Sequence, residues 1–242
     1  MRSRDTEKTI RELQQFLREH EDEITDEDSM HRLAITFMSQ HNSRLQPKQT
    51  EPEDASDYLE LASYRTRPYM RVCYTYFQTL IECGMMRCAI NEGERLLKLS
   101  EGDSLGVRDQ LMHLYAYTED EMHALALHKK YGGYEETQML LPLAILYYKQ
   151  NQFDKAKDYL NRLAKVNRDT KKFMRLEAKH DGYSLRMERG MHGYRPGTIE
   201  ELVDAYLNST YPFNATPHFS QWAYQYLRTQ TASKKKKPKN EE

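Results

Sequence analysis

Residues that punctuate turns are scarce in this chain, with 10 glycines and 8 prolines among 242 residues. An all-β fold spends a turn roughly every 8–12 residues, so that supply excludes it. There are only three cysteines, Cys73, Cys83 and Cys88, and no pair has C-x-x-C spacing. An odd, unpatterned set excludes a disulfide framework and a structural zinc site, and the three read as small apolar residues on helices. Charge of one sign is lacking too, because 36 basic residues face 37 acidic ones. Bulk charge therefore does not mark a nucleic-acid protein. No apolar run approaches the ~18 residues of a membrane span, and the longest, residues 139–148, reads as a core helix. The opening MRSRDTEKTIRELQQ has no apolar h-region, so the expectation is no signal peptide and a cytoplasmic location.

What is present is aromatic and flexible apolar material: 18 Tyr, 12 Met and 7 Phe. Disordered chains are poor in such residues. The expected class is all-α. Ile10, Leu13, Phe16 and Leu17 recur at helical spacing and predict a helix over residues 5–19. An acidic stretch follows, and Thr25 with Asp28 resembles a capping box opening a helix over residues 26–40. The polar, proline-bearing residues 41–52 form the best linker, so residues 1–46 read as a separate helical pair.

Downstream the chain repeats itself. Ala89, Ala124 and Ala156 are separated by 35 and then 32 residues. Five residues before each stands a turn residue, Gly84, Glu119 or Asn151, and nine before stands Leu80, Tyr115 or Tyr147. A small Ala at the start of the second helix lets two antiparallel backbones approach, and the larger residue of the first helix fills the space left. A helix–turn–helix unit of about 34 residues resembles the tetratricopeptide repeat. The expected repeats are residues 69–103, 104–136 and 137–170, within a helical-repeat solenoid over residues 53–190. The third is the cleanest, and the first has Gly93 where a bulky residue is usual. Tyr131-Gly132-Gly133-Tyr134 reads as a helix stop.

Residues 167–189 read as one long basic helix. Tyr194-Arg195-Pro196-Gly197 is a break, and Thr198 with Glu201 resembles a capping box for the next helix. Residues 208–217 form a second break, residues 218–229 a final helix, and residues 191–230 together a C-terminal cap. The Lys-rich residues 231–242 are expected to be disordered.

Several runs carry a resemblance. They are Arg67-Pro68-Tyr69-Met70-Arg71, Asp103-Ser104-Leu105-Gly106-Val107-Arg108, residues 194–201, and Ala215-Thr216-Pro217 followed by Trp222. The segment from Pro52 through Tyr58-Leu59-Glu60-Leu61-Ala62 fits as well. As an ordered set over most of residues 50–230, they resemble bacterial tetratricopeptide-repeat proteins related to the suppression of tumorigenicity 7 family. The chain departs from that pattern in placing Ala62 and Arg67 nearly side by side, which implies a shortened N-terminal stack. The resemblance brings no enzymatic activity.

A repeat stack offers a concave surface lined by the first helix of each pair. The positions expected there are Arg71, Tyr74 and Gln78, then Asp109, His113 and Tyr117, then Leu141, Ile145, Tyr148 and Lys149. Such a groove captures a peptide or acidic chain end, is an ordinary solvated groove, or is filled by another segment of the same chain. The rival surface is basic. Residues 162–189 hold nine cations, among them Arg162, Lys165, Lys171, Lys172, Arg175 and Lys179, against four acids. Residues 1–30 hold five basic residues against ten acidic ones. A basic helix with a Lys tail could follow phosphates, could be a solvated face, or could dock the acidic N-terminus of the same or another copy, or another acidic partner.

Catalytic signals are thin. Glu177-Ala178-Lys179-His180 has E-x-x-H spacing but no second copy, and there is no H-E-x-x-H or G-x-S-x-G. The expectation is a non-enzymatic helical-repeat scaffold without metal or cofactor that binds a protein or peptide partner through its concave groove. A nucleic-acid adapter is the alternative, and an enzyme with an unrecognised site is the second.

Overall fold

The computed structural model describes residues 4–19, 68–100, 102–103, 105–180, 182–190 and 193–235. Among these residues there are twelve helices and no strand. They are α1 (Arg4–Glu19), α2 (Pro68–Glu82), α3 (Met86–Leu99), α4 (Val107–Thr118), α5 (Glu121–Lys130) and α6 (Thr137–Lys149). There follow α7 (Phe153–Val166), α8 (Thr170–Glu177), α9 (Gly182–Met187), α10 (Ile199–Asn208), α11 (Tyr211–Ala215) and α12 (Phe219–Lys235). The expected helix 26–40, the linker 41–52 and the segment from Pro52 to Ala62 lie outside the described residues.

The repeated register is present at all three turns. Gly84, Glu119 and Asn151 have φ of 71°, 61° and 59°. In each, the next amide reaches back to the carbonyl five residues earlier: Met85 to Leu80 at 2.9 Å, Asp120 to Tyr115 at 2.9 Å, and Gln152 to Tyr147 at 2.8 Å. That bond satisfies a carbonyl the helix end would otherwise orphan. Ala89, Ala124 and Ala156 are each at most 1% exposed, as close helix approach requires.

The chain divides into two compact units, Met1–Arg108 and Asp109–Glu242. In the first, α2 and α3 close over Val72, Cys73, Phe77, Leu80 and Leu96. Arg95 grips the buried Glu92 at 2.6 and 3.0 Å and also donates to Cys73 Sγ. Gln14 of α1 donates to the Tyr76 hydroxyl at 2.9 Å. The Asp103 carboxylate accepts from the amides of Val107 and Arg108 at 2.8 and 3.0 Å, which caps α4.

In the second unit one core runs through α6 to α12. Every residue of α6 from Thr137 to Tyr147 is buried. Its apolar residues meet Leu160 and Leu163, Phe173 and Met174, Leu202 and Val203, and Phe213, Phe219 and Ala223. A fully buried Phe or Leu contributes about 1.5–3 kcal/mol, so this cluster dominates the unit.

The long basic helix expected over 167–189 is two short helices, α8 and α9. The chain leaves α8 through His180 at φ 53°, with His180 N bonded to Glu177 O at 2.7 Å. The break expected over 208–217 contains α11, which starts with Pro212 in its first turn, where the missing N–H costs nothing. The last helix continues to Lys235, so residues 231–235 of the expected disordered tail are helical. Thr198 does not close a capping box, since its hydroxyl donates to Arg195 O at 2.7 Å.

Candidate functional site

The inner stripe of the second hairpin is the set Asp109, His113 and Tyr117, spaced by four on α4. Residues beyond 190 cover two of the three. Tyr194 stands beside Asp109, and burial together with Asp109, Glu201 and Asp204 holds its phenol above the usual range. Tyr211 meets the Tyr117 ring edge-on, with centroids 5.5 Å apart, and burial raises its phenol as well. His113 is 1% exposed, so its place as a groove-facing contact is corrected: the ring is interior. Burial pushes it down to about 4, opposed by neighbouring Gln138. Neither ring nitrogen makes a hydrogen bond of good geometry among the described residues.

The inner stripe of the third hairpin is covered more completely. Leu141 and Ile145 were expected to face a groove and are instead 0% exposed in the core. Their side chains are apolar, and α10 to α12 supply the matching face. Tyr148 packs against Phe219 and Trp222 with centroids 5.3 and 5.0 Å apart. Lys149 is a brace rather than a free cation. It donates to the Tyr117 carbonyl, pairs with Glu119 at 3.2 Å, and sits 5.1 Å from the Tyr117 ring centroid. In the first hairpin, Tyr74 and Gln78 are half-buried, with the Tyr74 ring 6.2 Å from Phe77. The side chain of Arg71 lies outside the described residues.

A buried polar node fixes the cover in place. Asn167 Nδ2 donates to Thr198 O at 2.9 Å, with Thr137 Oγ1 at 3.2 Å and Glu201 Oε2 at 3.3 Å. Thr137 donates to Glu201 Oε2 at 2.7 Å, and so does Gly197 N at 2.8 Å. Gly197 has φ of 70°, and a Cβ there would stand 3.0 Å from Val166 O, so glycine is required. Asp169 Oδ2 accepts from Ile199 N at 3.1 Å and caps α10 from another segment. Sequence reasoning missed this cap because its two halves lie 30 residues apart.

Three of the nine cations of the basic run are in ion pairs. Arg162 pairs with Glu135 and Asp158, Arg168 with Asp169 at 3.9 Å, and Lys172 with Glu188 at 2.7 Å. Arg162 also lies over the Tyr159 ring, 4.4 Å from its centroid, and the Glu135 partner raises its guanidinium further. Arg189 stands beside Asp204, whose carboxyl burial holds above the usual range. Lys171 is half-buried and engaged. Lys165, Arg175 and Lys179 are exposed. Tyr183 and Met187, which sequence reasoning passed over, are 75% and 69% exposed on α9. Their spacing of four was visible, but one continuous helix gave no reason to expect both outside the core.

Among the described residues no group of three His, Cys, Asp or Glu side chains could hold a metal ion. No helix among them is long and apolar enough to cross a membrane. Compared with protein-family models, with curated proteins and with solved structures, the chain finds no significant match in any of the three.

Proposed function

We propose that this chain is a non-enzymatic helical-repeat scaffold of the tetratricopeptide type, binding a protein or peptide partner. The observation that carries the reading is the shared turn of the three hairpins: a positive φ, the same back-bond, and a buried Ala five residues on. A unit repeated in that register serves stacking, and stacked helix pairs are binding surfaces. The partner is placed away from the inner stripe of the second and third hairpins, since the chain's own C-terminal helices occupy it. Phosphate tracking along 162–189 is the less favoured reading, because Arg162, Arg168 and Lys172 already have acidic partners.

Affinity capture from native extract, at low and moderate salt and with nuclease, tests the proposal. A stoichiometric protein partner that survives nuclease and binds the purified chain directly is the expected result. Recovery that vanishes with nuclease overturns the proposal.

A further inference from the structure

We propose that the outer face of the α8–α9 hairpin docks an acidic peptide segment carrying an apolar anchor. The inference rests on the scaffold reading and names its surface and partner. In α9 only Leu185 is buried, and it ties the helix to the core. Tyr183 and Met187, one helical turn apart, therefore project outward together. Single exposed apolar residues are ordinary on a protein surface, but an aromatic and a methionine on one face make a patch. Methionine is adaptable and tyrosine amphipathic, which suits both to receiving an apolar side chain.

The charge around the patch sets the sign of the partner. Residues 170–189 carry six cations, Lys171, Lys172, Arg175, Lys179, Arg186 and Arg189, against three acids, Glu177, Asp181 and Glu188. Glu188 is held by Lys172 across the hairpin, and Glu177 is buried near Tyr206, where Arg186 is also felt. Arg175 and Lys179 are exposed and make no ion pair within 4.0 Å among the described residues. Arg175 lies on α8 and Lys179 just past its end, Tyr183 and Met187 lie on α9, and the Lys172–Glu188 pair at 2.7 Å ties the two helices together beside them. A peptide that sets carboxylates against Arg175 and Lys179 and an apolar side chain against Tyr183 and Met187 uses all four. A nucleic-acid strand would use the two cations and leave Met187 without a role, and most other cations of the run are already engaged.

The test is selection of random 12-residue displayed peptides on the immobilised full chain. Synthetic copies of the enriched peptides are then titrated against the full chain and two variants. Enriched peptides should combine Asp or Glu with Leu, Ile, Phe or Trp. Tyr183→Ser with Met187→Ser should weaken them roughly tenfold or more, and so should Arg175→Glu with Lys179→Glu. All four side chains are exposed, so circular dichroism and thermal unfolding should not change. No enrichment, enrichment without acidic residues, or binding that ignores the Tyr183 and Met187 changes overturns the proposal. So does tighter binding of a 12-nucleotide oligouridine probe that depends on Arg175 and Lys179 alone. A captured protein partner insensitive to all four substitutions sinks this surface and leaves the scaffold reading standing.

Discussion

The α2–α3 and α6–α7 hairpins share one turn and differ in what their first helix meets. Both close through a residue at positive φ, and both bury an Ala nine residues after a buried Leu80 or Tyr147. Yet α2 keeps Tyr74, Thr75, Gln78 and Thr79 half-buried, whereas α6 buries every residue from Thr137 to Tyr147. The turn chemistry makes a hairpin, and the composition of its inner stripe decides whether a further layer covers it. Leu141 and Ile145 invite an apolar cover, and Phe213, Phe219 and Ala223 provide one.

The largest effect should come from breaking that cover. Phe219→Ala removes a 0% exposed ring from the middle of the second unit and should cost about 3–5 kcal/mol in chemical denaturation. Phe153→Ala, at a ring 41% exposed on the same aromatic cluster, should cost much less. Equal losses at the two positions would deny that the core runs through α12.

Acid should act next. The interior holds His113 neutral, with its pKa pushed down to about 4, while the unfolded chain takes a proton near 6.5. Between those values the unfolded state binds the extra proton. Stability therefore falls as pH drops through that window, by up to about 3 kcal/mol. His113→Leu should flatten the dependence, and an unchanged slope would show that the ring is solvated.

A smaller loss is expected at the polar node. Asn167→Ala leaves Glu201 and Thr137 buried with one donor fewer, at a cost of about 1–3 kcal/mol by thermal unfolding. The smallest change is a gain that sharpens the likeness of the turns. Glu119→Gly relieves a side chain at φ 61° and should stabilise by up to about 1 kcal/mol, less its exposed pairing with Lys149. The reverse exchange, Gly84→Ala, should cost a similar amount, since its Cβ would meet nothing within 4 Å and only the backbone objects.

These contrasts show what was legible in the sequence. Hairpin positions follow from local chemistry, a turn residue and a small Ala at fixed offsets, so the three turns are where the spacing puts them. The glycine stop at Gly132-Gly133 is local too, and both residues are at positive φ. The stripe on α4 and α6 was expected to line a groove, but its fate depends on a distant segment of the chain, and His113, Leu141 and Ile145 are interior. Nothing in Leu141 itself says whether it faces solvent, a partner or the chain's own Phe219. The Asp169 cap on α10 and the node around Asn167 are likewise long-range. The basic run is not a single helix, because the chain leaves α8 through His180 at φ 53°.

The most direct test of the covered inner face uses Trp222, the chain's single tryptophan. It stands 5.0 Å from Tyr148 and 6.2 Å from Tyr226, ring centroid to centroid. In the native full chain its emission should be blue-shifted and weakly quenched by acrylamide, and it should shift red in step with the loss of helical circular dichroism on unfolding. Native emission already at the solvent-exposed position, or a fluorescence transition well before the helices melt, would contradict the account and return the inner stripe to use as an open groove.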